Sequence, residues 1–152
     1  MATILSIHIT PTETQPLISV SEVRAVAGKG LEGDRYFFKT GTFSNRAADG
    51  REITLIESES LEALLRDYTI ALRPEQTRRN LVTQGISLNH LVHKEFFVGE
   101  VLLRGIRLCE PCGHLEKLTS DGVRAGLIHR GGLRANILSD GIIRIGDNLV
   151  LK

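Results

Sequence analysis

The chain has 152 residues, 41% of them hydrophobic and 24% charged, with 19 Lys and Arg against 18 Asp and Glu for a net charge of +1. That length and apolar content suffice for a single domain over 1–152 whose core needs neither disulfides nor a structural metal. A pI near 7.9 gives no pull toward nucleic acid or membrane, and no apolar run approaches the roughly 20 residues of a membrane helix.

The opening Met-Ala-Thr-Ile-Leu-Ser lacks the charged-then-apolar layout of a signal peptide, so a cytoplasmic, reducing setting is expected. Thr3 to Ile9 and Leu17 to Val26 mix β-branched and polar residues and end at turn formers, which predicts two strands. Gly28 to Asn45 carries glycines at 28, 30, 33 and 41 among charges and suits an exposed functional loop. Glu52 to Ile56 predicts a further strand. Leu61, Leu64, Leu65 and Tyr68 then fall at i, i+3, i+4 and i+7, the spacing of one helix face, with Ser58 placed to cap and the end before Pro74.

Leu88, Leu91 and Val92 suit a short helical turn. From Glu95 onward the texture is β: Phe96 to Val98, Glu100 to Leu108, Leu133 to Leu138 and Ile142 to Leu151, broken by a helical segment over Val123 to Ile128. Asp140-Gly141 between apolar runs is a hairpin signal, and interior glycines such as Gly105 suggest bulges or barrel corners. Many short strands with few helices predict a mainly β chain closed, or partly open, as a barrel, since closure removes exposed edges.

The chemistry concentrates in Leu108-Cys109-Glu110-Pro111-Cys112-Gly113-His114, which holds both cysteines of the chain. From Arg104 to Arg134 there are six basic residues against three acidic ones, and guanidinium groups favour the thiolate, the form in which a cysteine reacts or ligates. Cys112, between a proline that fixes the backbone and a glycine that opens access, is the candidate centre, expected at the barrel mouth. Cys109 ends an apolar strand and suits the core as a small hydrophobe. A C-x-x-C with His114 also admits zinc, although a structural site draws a second close pair that this sequence lacks. A thioredoxin-like pair has this spacing too, but follows a βαβ unit rather than a β-rich run.

Around that centre, Gly30-Leu-Glu-Gly-Asp34-Arg35 is not a dinucleotide fingerprint. Its Asp34 and Arg35 either orient a loop or touch a ligand. Arg78-Arg79-Asn80 offers two guanidinium forks that match phosphate oxygens or, equally, a solvated surface. Arg130-Gly-Gly-Leu-Arg134 is either a phosphate rim or a glycine turn.

Taken in order, Gly30-Leu-Glu-Gly-Asp-Arg35, Arg78-Arg-Asn-Leu-Val82, Leu91 to Gly99, Glu110-Pro-Cys112, and Gly132-Leu-Arg-Ala135 through Gly146-Asp147 resemble the MOSC family, the molybdenum cofactor sulfurase C-terminal domain, over about Leu17 to Leu151. The resemblance implies a pyruvate-kinase-type β-barrel-like domain and a small stand-alone member. It implies that Cys112 carries sulfur as a persulfide or ligates molybdenum, with Arg79 and Asn80 toward the phosphate or pterin of molybdenum cofactor and Asp34 and Arg35 matching the family's glycine-aspartate motif; Arg78 and Arg134 join Arg79 as a basic rim expected to bind the cofactor's phosphate. The chain lacks the pyridoxal-phosphate aminotransferase-like domain of larger relatives, so pyridoxal phosphate is expected on a partner cysteine desulfurase. Three functions remain open: sulfur transfer to a molybdenum-cofactor enzyme, reduction of N-hydroxylated compounds at a Cys112-ligated molybdenum with an electron-transfer partner, and non-catalytic carriage of the cofactor.

Overall fold

The computed structural model describes residues 1–38 and 50–152, so residues 39–45 of the glycine-rich stretch lie outside the described part. In chain order the strands are β1 (Thr3–Ile9), β2 (Ile18–Val20), β3 (Glu22–Val26), β4 (Gly30–Leu31), β5 (Ile53–Glu57), β6 (Leu81–Gln84), β7 (Glu95–Val98), β8 (Val101–Leu108), β9 (Leu133–Ile137), β10 (Gly141–Arg144) and β11 (Leu149–Leu151). The helices are α1 (Arg35–Phe38), α2 (Ser58–Tyr68), α3 (Gly113–Leu118) and α4 (Val123–Gly126), with 3₁₀ turns at Pro74–Thr77 and Leu88–Leu91.

Eight strands form one sheet in the order β11-β7-β8-β9-β5-β6-β1-β2, and β10-β3-β4 form a second. The large sheet curls until its ends meet. Ile4 N–H donates to the Asp147 carbonyl at 2.9 Å, Gly146 N–H to Ile4 at 2.8 Å and Leu149 N–H to Ala2 at 3.0 Å. The expected barrel is therefore present, with one edge of β1 shared between β2 and the turn before β11. Inward residues alternate along each strand, so Ile53 and Leu55, Leu133 and Ala135, and Leu81 join Val23, Ala25, Leu31 and Ile143 of the small sheet in one core. A smaller apolar cluster, Leu64, Leu115, Val123 and Leu127, lies among the helices, with Cys112 packed against it.

Two expected strands prove to be four. The run over Leu17–Val26 breaks at Ser21: β2 pairs with β1 in the barrel, whereas β3 pairs with β10 in the small sheet. The run over Ile142–Leu151 divides likewise, because β11 returns to pair with β7. Asp140-Gly141 makes no hairpin, since β9 and β10 belong to different sheets, and the Asp140 carboxylate accepts the Ala27 N–H at 2.7 Å. The two-residue hairpin is instead Gly99-Glu100, between Val98 and Val101. In α2, Ser58 is the first helical residue rather than the cap, and of the expected apolar face Leu64 is buried while Leu65 and Tyr68 stay exposed. The helix ends at Thr69, in a left-handed conformation. No helix among the described residues is long and apolar enough to cross a membrane.

Gly105 marks a bulge, as the sequence suggested. The β8–β9 register shifts between Gly105 and Arg107, and the Leu91 carbonyl occupies the position a Cβ would take. Gly105→Ala is expected to cost about 1–3 kcal/mol through overpacking against backbone, checked by the urea midpoint. A midpoint equal to that of wild type would show that the approach is not tight.

His8 is buried, with Nε2 2.8 Å from Ser6 Oγ and Nδ1 3.1 Å from Ser19 Oγ. Burial holds its pKa below 6.5, against the opposing attraction of Glu75. The unfolded chain therefore takes up the proton first, and the stability His8 contributes is complete above pH 6.5 and lost as pH falls through its lower folded value. His8→Gln is expected to flatten the decline of the urea midpoint below pH 6.5; an unchanged slope would assign that decline to other groups.

Candidate functional site

A cleft of about 110 Å³ is lined by Arg35, Tyr36, Arg78, Arg79, Glu110, Cys112, His114, Leu115 and Arg134. Four segments distant in sequence supply them. Arg35 and Tyr36 open α1, Arg78 and Arg79 follow the 3₁₀ turn, Glu110 and Cys112 lie between β8 and α3, His114 and Leu115 start α3, and Arg134 projects from β9. Leu133 and Ala135 point into the barrel core, so the intervening Arg134 points to the opposite face. Arg134 thus projects from the outer face of β9, beside the segment that follows the end of β8.

Arg79 fixes the cysteine segment. It is 7% exposed, and its Nε–H donates to the Gly131 carbonyl at 2.9 Å, Nη2 to the Cys109 carbonyl at 3.0 Å and Nη1 to the Thr77 carbonyl at 3.3 Å. Cys109 N–H in turn donates to the Gly132 carbonyl at 2.7 Å. Cys109 is sealed at 1% exposure, as its reading as a small core residue expected, whereas Cys112 is half-buried and reaches the cleft.

Arg78 has φ +60° and donates through Nη1 to the Gln15 carbonyl at 2.9 Å and through Nη2 to the Glu13 carbonyl at 2.6 Å. Burial, and then the charge of Arg35, lower its pKa to about 10, so it remains cationic at neutral pH. Arg35 lies over the Tyr36 ring at 4.5 Å, donates to the Arg78 carbonyl at 2.9 Å and pairs with Asp34 at 3.2 Å. Burial alone would lower the pKa of Arg134. The attraction of Cys109, Tyr36 and Cys112 outweighs it and raises the value, with a hydrogen bond to Tyr36 contributing. Arg134 therefore stands within electrostatic reach of both sulfurs.

Two of the expected site residues face inward instead. Asp34 is fully buried, accepting the Thr10 N–H at 3.1 Å and the Arg35 guanidinium; burial raises its pKa despite these partners. Asn80 is also fully buried: its Oδ1 accepts the Thr54 N–H at 3.0 Å and its Nδ2 donates to the His8 carbonyl at 3.1 Å. Both anchor the neighbours that reach the cleft. Tyr36, Glu110 and Leu115 were not singled out from the sequence. Tyr36 directly follows Arg35 and Glu110 lies inside the Cys109-Glu110-Pro111-Cys112 motif, and those positions were the available signal. Glu110 accepts the His129 N–H at 2.7 Å and lies 2.8 Å from His129 Nδ1. No cluster of three or more His, Cys, Asp or Glu suited to a metal occurs among the described residues, which leaves the C-x-x-C zinc reading without further ligands there.

The MOSC domain family model matches residues 42–150. Among solved structures, the fold is similar to the YUAD protein from Bacillus subtilis at a TM-score of 0.77 and 15% identity, covering 99% of this chain and 96% of that one. It is similar to YiiM from Geobacillus stearothermophilus at 0.74 and 16%, covering 100% and 75%. YiiM from Escherichia coli follows at 0.68 and 19%, covering 99% and 69%. No curated protein matches the chain.

Arg79→Gln is expected to destabilise the chain by about 2 kcal/mol or more, since buried carbonyls lose a charged donor. It is also expected to speed labelling of Cys109 by a thiol reagent under native conditions. Labelling no faster than in wild type would show that the guanidinium does not hold that segment.

Proposed function

Because the chain belongs to the MOSC domain family, which is associated with molybdenum cofactor, we propose that it carries sulfur on Cys112 for that cofactor or its enzymes. One observation carries this reading: Cys112 opens into a cleft that it shares with four guanidinium groups. A cysteine receives sulfur from a persulfide by attack of its thiolate on the outer sulfur, with the donor cysteine leaving as thiolate, so no oxidant is required. The donor in this reading is a pyridoxal-phosphate-dependent cysteine desulfurase, a separate protein. The acceptor is anionic, and Arg78, Arg79 and Arg134 orient it while Asp34 and Asn80 hold their surroundings rigid.

The donor set fits the phosphate of molybdenum cofactor, because the cationic groups are hydrogen-bonded by neutral carbonyls and retain their charge. Arg78, Arg79 and Arg134 would hold that phosphate. When bound, the cofactor supplies a molybdenum centre competent in sulfur and oxygen chemistry. The chain's own contribution is the thiolate, its fixed backbone and the positive field.

Cys112→Ser is expected to abolish persulfide formation during incubation with a desulfurase and cysteine, read by mass spectrometry of the Cys112 peptide, while the urea midpoint stays within about 1 kcal/mol of wild type. Equal persulfide in both proteins would overturn the assignment. Stoichiometric molybdenum with pterin after anaerobic purification, lost in Cys112→Ser, would overturn it in favour of ligation and reduction.

A further inference from the structure

We propose that the cleft also takes a small oxyanion bearing a transferable outer sulfur, thiosulfate being the simplest, and that Cys112 draws sulfur from it with no protein donor. This rests on the reading of Cys112 as a sulfur carrier and adds a small-molecule source to it.

Size is the first argument. A cleft of about 110 Å³ admits a tetrahedral oxyanion with one extra sulfur. Charge is the second. Of the four lining guanidinium groups, Arg35 has a carboxylate partner in Asp34, and Arg78 and Arg79 are held by neutral carbonyls. The lining carboxylate, Glu110, is engaged by His129 at 2.7 and 2.8 Å. A doubly charged ligand matches this excess better than a cysteine persulfide arm, which brings at most one charge.

Hydrogen-bond accounting supplies the third. Tyr36 lines the cleft, and its hydroxyl meets Arg35 Nη2 at 3.4 Å and the Arg134 side chain. A guanidinium can donate but cannot accept, so the hydroxyl oxygen receives both bonds and its own proton remains to be donated to a third group. Among the described residues Arg78 bonds carbonyls through Nη1 and Nη2 and leaves its Nε–H to donate. A ligand rich in acceptor oxygens satisfies both donors; a neutral thiol satisfies neither.

The step balances without an oxidant. The Cys112 thiolate attacks the outer sulfur of thiosulfate, a new sulfur–sulfur bond forms, the bond to the central sulfur breaks, and its electron pair leaves with sulfite. The guanidinium groups and the Tyr36 hydroxyl hold the oxygens throughout, as the charge shifts onto the departing sulfite.

The test incubates the full chain with thiosulfate and no desulfurase. Expected are release of about one sulfite per chain, a gain of one sulfur on the Cys112 peptide, and loss of both in Cys112→Ser. Sulfate, which offers the oxygens but no removable sulfur, is expected to compete. Tyr36→Phe and Arg78→Gln, each confirmed folded by its urea midpoint, are expected to raise the half-loading thiosulfate concentration about tenfold or more. Should Arg78→Gln fail to fold, Tyr36→Phe and the sulfate competition still decide the matter. Absence of sulfite release, release unchanged in Cys112→Ser, or indifference to sulfate would overturn the proposal. If thiosulfate fails while desulfurase and cysteine load Cys112, this inference alone falls; if neither loads it, the sulfur-carrier reading falls with it.

Discussion

One buried guanidinium organises the site. Arg79 gathers carbonyls from Thr77, Cys109 and Gly131, three points that no strand ladder joins. Strand pairing ends at Leu108 and Leu133, and past the one further bond from Cys109 N–H to the Gly132 carbonyl, the Cys109 and Gly131 carbonyls need partners from elsewhere. A planar fork with five donors meets that need where a lysine, with one compact charge, would not. The charge set up to bind backbone then also faces the cleft.

Neighbouring residues in the same short stretch divide the labour. Arg78 and Arg79 reach the cleft, whereas Asn80 turns inward and ties β6 to β5 and β1 through Thr54 and His8. Asp34 and Arg35 divide in the same way on the other side, the carboxylate buried beneath and the guanidinium above. Holding four like charges close together is unfavourable, and the lowered pKa of Arg78 records part of that cost beside the larger effect of burial. Neutral carbonyl partners tolerate the repulsion without cancelling the field, so the cleft keeps its affinity for negative charge.

The β character was legible because apolar residues recur at strand spacing, and the interior Gly105 signalled its bulge. Strand partners were not legible, because periodicity reports a strand without reporting its neighbour. Leu17–Val26 and Ile142–Leu151 read as continuous runs, yet each crosses from one sheet to the other, near Ser21 and at Gly146-Asp147. The helix α3 escaped notice because six residues starting at a glycine give no sustained 3.6-residue pattern. Of the site, the cysteine and the arginines stood out by residue type. Tyr36 did not, since its role follows from two guanidinium groups that meet it only in three dimensions.

The seam that seals the barrel joins residues 2–4 to residues 146–149, almost the full span of the chain. Joining such distant points pays its loop-closure entropy late and for few bonds, which is characteristic of high contact order. Until residues 146–149 are in place the β1 edge along residues 2–4 stays unpaired, so a partly folded chain presents a sticky border there.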